Sequence, residues 1–101
     1  MWRPYRQRAE MTEKRRPVIA GNWKMNTDVE SSEFLARKIV KLLKESVPEG
    51  IDVIIAPPFP YLERVSRVIE GSPVKLGAQN ASWADLGAFT GEVGPGMLCD
   101  F

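Results

Sequence analysis

Two short, unbroken apolar runs constrain this chain more than anything else in it: Val18-Ile19-Ala20 and Val53-Ile54-Ile55-Ala56. Both are rich in β-branched residues and bounded by Pro or Gly, as buried strands are. They are continuous rather than alternating, which fits a parallel sheet covered on both faces. A weaker third run is Val74-Lys75-Leu76-Gly77-Ala78.

Between the first two runs lies a helical pattern. Thr27-Asp28-Val29-Glu30 has the spacing of a capping box, a hydroxyl at the N-cap and a carboxylate three residues on. Leu35, Ile39, Leu42 and Leu43 then recur as one apolar stripe, with Lys38, Lys41, Lys44 and Glu45 on the wet side. Pro48 and Gly50 stop the helix. A second helix starts at Pro60, lined on one face by Leu62, Val65 and Ile69 with Tyr61 and Val68 beside them. Gly71 and Pro73 end it. The order strand–helix–strand–helix–strand predicts an α/β fold of right-handed βαβ units. From Gln79 to Pro95 no period survives, and Gly87, Gly91, Gly94 and Pro95 mark a long loop.

This order has a physical consequence. Two helices in units of one hand cover a single face of the sheet. The other face, with Ile19 or its neighbours and part of Val53–Ala56, is left bare, and two edges are unpaired. The pattern therefore predicts that further strands or a partner chain close the structure.

Composition adds limits. The 101 residues are 44% hydrophobic and 27% charged, as in a globular protein. The net charge of +1 points to neither nucleic acid nor a membrane surface. Residues 1–16 carry six basic against two acidic groups, whereas the remainder carries eight against eleven. They have no apolar period, so they read as a flexible basic N-terminal extension, with Met11 an alternative start of translation. No apolar run has the length of a signal or a membrane span. Cys99, the only cysteine, has no internal disulfide partner, which fits a reducing cytoplasm. Histidine is absent, which excludes histidine acid–base chemistry and histidine metal ligation from this chain.

The chemistry concentrates in Gly21-Asn22-Trp23-Lys24-Met25-Asn26, at the C-terminal end of the first strand. In α/β folds that end faces the ligand crevice. Asn22 supplies an amide and Lys24 a mobile ammonium. Two residues apart on a strand, they share a face and suit a small anion with an oxygen that gains negative charge. A solvated strand end whose lysine binds nothing has the same spacing.

This hexapeptide resembles the first-strand signature of triosephosphate isomerases. Three further segments agree with the family in order and spacing. Ala56-Pro57-Pro58-Phe59-Pro60-Tyr61-Leu62 looks like the end of its second strand and the start of its second helix. Gly77-Ala78-Gln79-Asn80 looks like its third strand end. Gly87-Ala88-Phe89-Thr90-Gly91-Glu92-Val93-Gly94-Pro95-Gly96-Met97-Leu98 looks like its long third loop and the start of its third helix.

The resemblance implies a (β/α)8 barrel of roughly 250 residues, of which residues 17–101 supply the first three βα units, incomplete, and the third loop. It implies the interconversion of dihydroxyacetone phosphate and glyceraldehyde 3-phosphate, in glycolysis and gluconeogenesis, with no metal or organic cofactor. Lys24 is then the cation beside the substrate oxygen and phosphate. Asn22 donates a hydrogen bond to the oxygen that becomes negative. Trp23 shares the substrate-contact segment and has a packing role. Phe89 and Thr90 lie in the loop that enters the neighbouring subunit of a homodimer, although Thr90 also suits a hydroxyl capping a local turn. The family's electrophilic histidine follows the fourth strand and its glutamate base the sixth, so the 101 residues alone are expected to be inactive; Glu70 and Glu92 are not substitutes. A stand-alone anion-binding module, or a segment that complements the rest of a barrel, are the rival readings.

Overall fold

The computed structural model describes residues 15–46 and 49–101. Its elements run β1 (Val18–Asn22), α1 (Val29–Glu45), β2 (Asp52–Ala56), a 3-10 turn (Phe59–Tyr61), α2 (Leu62–Ile69), β3 (Val74–Leu76) and a single helical turn, α3 (Pro95–Leu98). The strands form one parallel sheet in the order β1-β2-β3. Val18 pairs with Asp52 and Asn22 with Ala56, while Val53 pairs with Val74 and Ile55 with Leu76. The three C-terminal ends therefore lie side by side. The Gly77 N–H donates to the Ile55 carbonyl at 2.8 Å, just past the end of β3.

The core is where the helices meet the sheet. Ala36 of α1, Ile55 of β2, Val65 and Ile69 of α2, and Val74 of β3 are buried together. Val65 is wholly enclosed; burying a side chain of this kind contributes about 1.5–3 kcal/mol. Leu62, Val65 and Ile69 form the buried face of α2, with Tyr61 and Val68 half-buried beside it, as their spacing predicts.

The buried line of α1 differs from the predicted stripe. Ser32 and Ala36 are the residues it buries, Leu35, Ile39, Val40 and Leu43 are half-buried, and Leu42 is 56% exposed. Small side chains let α1 approach its neighbours closely, and the Ser32 hydroxyl is satisfied by the Thr27 hydroxyl at 2.6 Å.

The cap of α1 also moves by one residue. Asp28, not Thr27, is the N-cap. Its Oδ1 accepts the Ser31 N–H, and the Ser31 hydroxyl accepts the Asp28 N–H, each at 2.8 Å. Glu30 sits in the first turn without the predicted role. At the other end Ser46 caps the helix. Pro48, predicted to stop the helix, lies outside the described residues.

Every residue of β1 is exposed, and Ile19 stands 60% open to solvent. Ile19 pairs with Val53, which pairs with buried Val74, so it lies on the helix side of the sheet, past the reach of the two helices; the bare face expected opposite them is that of its neighbours Val18 and Ala20, with Ile54 and Lys75. At the N-terminal end of the sheet the Asp52 N–H donates to the Pro17 carbonyl at 3.0 Å, and the side-chain ties are electrostatic. Asp52 Oδ1 faces Arg16 Nη2 at 3.2 Å and Lys75 Nζ at 3.3 Å. Arg16 thus joins the fold, though its sequence places it with the basic extension; residues 1–14 of that extension lie outside the described residues. Arg16 first, then Lys75, holds the Asp52 carboxyl below its ordinary pKa. Glu33 accepts from Arg64 across to α2 and from Arg37 within α1, each at 3.1 Å, and Arg64 foremost lowers its pKa.

Candidate functional site

The segment from Asn22 to Asp28 turns the chain from β1 into α1. It holds the only positive φ values of non-glycine residues among the described residues, 58° at Lys24 and 79° at Thr27. For a β-branched threonine such a backbone is a real outlier. Residues held this way persist only where their surroundings over-determine them, and they cluster at functional sites.

The surroundings do over-determine this loop. The Trp23 N–H continues the ladder by donating to the Ala56 carbonyl at 3.0 Å. Asn26 Nδ2 donates back to the Trp23 carbonyl at 2.6 Å. Thr27 is tied to Ser32, and Asp28 closes the capping box. Two hydrogen bonds from Ser31, backbone foremost, lower the pKa of Asp28. Trp23 packs half-buried against the core cluster, so the strand end rests on the hydrophobic interior.

The Asn22 side chain meets the backbone of Lys24, not its ammonium, and the two side chains are not paired on one strand face as their spacing predicts. β1 ends at Asn22, and the left-handed backbone at Lys24 breaks the alternation that would put both on one strand face. Instead Asn22 Oδ1 accepts the Lys24 N–H at 2.9 Å. A backbone N–H only donates, so this bond fixes the amide: its oxygen is engaged and Nδ2 remains to donate. Among the described residues no carboxylate pairs with the Lys24 ammonium. Both side chains are exposed at the rim. Asn22 Nδ2 is an amide donor and Lys24 carries a cation, each of a kind that can stabilise an oxygen gaining negative charge.

One residue of this rim is missed by sequence reasoning. Gln79 Nε2 donates to the Lys24 carbonyl and to the Ala56 carbonyl, each at 2.9 Å. Its partners are 55 and 23 residues away in the chain, so only the assembled sheet brings them together. The segment Gly77–Asn80 signals a strand end, but nothing in it signals this bridge.

The long loop after β3 is built differently. The Ser82 N–H donates to the Val93 carbonyl at 2.7 Å and the Glu92 N–H to the Phe89 carbonyl at 3.0 Å. Trp83 and Phe89 meet edge to face at 5.4 Å. A Cβ on buried Gly94 would collide with the Asp85 carbonyl, so this close approach requires glycine. Phe89 and Thr90 are exposed, as are Trp83 and Leu86.

A groove lies elsewhere, between α1 and α2, lined by Glu33, Arg37, Glu63, Arg64 and Arg67. Its charges pair with one another, and surface ion pairs of this kind are ordinary helix packing. No cluster of three or more His, Cys, Asp or Glu residues suited to a metal occurs among the described residues, and no helix there is long and apolar enough to cross a membrane.

The model of the triosephosphate isomerase family matches residues 17–101. Curated triosephosphate isomerases resemble the chain over the same region. That of Carboxydothermus hydrogenoformans is 51% identical over 87 residues, which is 85% of this chain and 34% of the relative. That of Rhodopirellula baltica is 49% identical, covering 85% of this chain and 33% of the relative. That of Caldanaerobacter subterraneus subsp. tengcongensis is 45% identical, covering 83% and 33%. The chain spans about a third of the length of these relatives. Parallel strands alternating with helices, a strained polar turn at their C-terminal ends, and a family match over everything from Pro17 onward lead to one assignment: the chain belongs to the triosephosphate isomerase family.

Proposed function

We propose that this chain contributes the first three βα units of a barrel that interconverts dihydroxyacetone phosphate and glyceraldehyde 3-phosphate. In this reading Lys24 places its ammonium beside the substrate's phosphate and the oxygen that becomes negative. Asn22 donates from Nδ2 to that oxygen as the enediolate develops. Trp23 supports the segment by packing beneath it. No metal or organic cofactor takes part, because moving a proton between adjacent carbons needs only a base, an electrophile and charge stabilisation. Phe89 and Thr90 contact a second subunit, and the enzyme works in the cytoplasm.

The observation that supports this best is the pinned Asn22 amide next to a lysine held in a left-handed backbone. Such a turn presents a fixed donor and a cation at the strand ends, where barrels of this kind carry their chemistry. The chain contains no histidine. The family's electrophilic histidine therefore has to come from outside these residues.

The test is a graft in which this chain replaces the matching third of the Carboxydothermus hydrogenoformans relative. The graft is expected to isomerise triose phosphates, and the 101-residue chain alone to show no turnover. Lys24→Ala in the graft is expected to lower kcat/KM by about 100-fold or more, the usual cost of removing one electrostatic contact to a developing charge. A folded graft whose turnover ignores Lys24→Ala would refute the assignment of this residue.

A further inference from the structure

We infer that Gln79 is a positioning residue, whose side-chain amide clamps the backbone of Lys24 to the end of β2 and thereby fixes where the Lys24 ammonium stands. The inference rests on the role proposed above for Lys24 and extends it to a residue in another strand unit.

The bonding pattern carries the argument. Both N–H groups of the Gln79 amide have carbonyl partners, Lys24 and Ala56, each at 2.9 Å. Two acceptors fix the amide orientation, because only the NH2 end can serve them. The Ala56 carbonyl also takes the Trp23 N–H at 3.0 Å, so both of its lone pairs are used. Lys24 is thus held at both of its own peptide groups, its N–H by Asn22 Oδ1 and its carbonyl by Gln79.

The need for a clamp follows from the backbone. Lys24 has φ 58°, which a lysine adopts only against a steric penalty. The Asn22 bond is local and would survive many conformations of the turn. The Gln79 bond is not local; it refers the turn to β2 and β3. Without it, Lys24 can relax toward an ordinary backbone, and its ammonium swings on the changed Cα–Cβ direction. The flexible four-carbon stem recovers part of the displacement, so the effect is smaller than deleting the lysine. Small misplacements at a reacting centre still carry large rate costs.

The experiment is a double-mutant cycle in the graft. Gln79→Met keeps the length and removes both donors. Gln79→Glu keeps the shape and turns an acceptor toward two carbonyls. With Lys24 present, each is expected to lower kcat/KM about tenfold, the scale of losing a hydrogen-bonded constraint. With Lys24→Ala in place, neither is expected to lower it further, because coupled residues are non-additive. Equal losses in both backgrounds, or no loss with Lys24 present, overturn the inference and leave the Lys24 assignment standing. An insensitive Lys24→Ala overturns both. Nuclear magnetic resonance of the unmutated graft needs no variant to fold: the two Gln79 side-chain amide protons are expected to be shifted and protected from exchange. Signals like those of a solvated glutamine overturn the clamp.

Discussion

The two loops at the C-terminal ends of the strands solve opposite problems. The loop after β1 is short and is tied outward, to β2 through Trp23 and to the residue after β3 through Gln79. The loop after β3 is long and is tied to itself, through Ser82 and Val93, Trp83 and Phe89, and the Gly94–Asp85 approach. The first keeps strained residues in place at the cost of backbone freedom. The second keeps its own shape while presenting Trp83, 87% exposed, to its surroundings. Under the function proposed above, the first loop has to refer Lys24 to the scaffold, whereas the second, offered to a second subunit, needs only internal rigidity.

Substitutions test that contrast. The largest effect belongs to the outward-tied loop, where Lys24→Ala is expected to remove most of the graft's turnover with little change in its unfolding midpoint. A comparable loss of turnover from Leu86→Ser would show that the contrast is misplaced. Next comes Gly94→Ala, where the added Cβ meets the Asp85 carbonyl. A cost of about 1–3 kcal/mol in chemical unfolding is expected, as for other overpacked sites. An unchanged midpoint would mean that the long loop is not self-supporting.

Acid should reach the carboxylates at the cap of α1, between the helices and at the foot of the sheet, and spare the long loop after β3. Asp28, Glu33 and Asp52 all have pKa values lowered by their hydrogen-bond donors. Their stabilising contribution is complete above the ordinary carboxylate values, 3.8 for aspartate and 4.5 for glutamate. It is lost as the pH falls through the lower folded-state values. Unfolding midpoints are therefore expected to be level from about pH 7 to about pH 5 and to decline below about pH 4. Asp28→Ala should flatten part of that decline. The smallest effect is expected for Leu86→Ser, within about 0.5 kcal/mol, as for exposed positions generally. A larger loss would mean that the assembled protein covers this side chain.

Much of the architecture is legible in the residues themselves. Continuous β-branched runs give the parallel strands, and Leu62, Val65 and Ile69 give the buried face of α2. A sheet face without helices is legible from helix placement, but Ile19, expected on it, lies on the helix side in register with Val53 and Val74. What escapes is detail decided by competition or by distance. Thr27 and Asp28 both suit an N-cap; the aspartate prevails because Thr27 is drawn to Ser32 in a left-handed backbone. Leu42 belongs to an apolar stripe by period, yet Ala36 and Ser32 take the closest contacts because they are small. Strand alternation would put Asn22 and Lys24 on one face; the left-handed backbone at Lys24 breaks it, and the bond between them runs from the Lys24 backbone to the Asn22 side chain. Gln79 is invisible because a glutamine announces nothing until its two acceptors arrive from other strands.

The opposite ends of the sheet are fastened by different chemistry. At the N-terminal end one carboxylate, Asp52, gathers two cations. At the C-terminal end one neutral amide, Gln79, gathers two carbonyls. Salt and acid weaken the first kind of fastening and leave the second almost untouched. Ionic conditions thus act on the side-chain ties at the foot of the sheet, where the Asp52 N–H still donates to the Pro17 carbonyl at 3.0 Å, and not on the amide that stands beside Lys24.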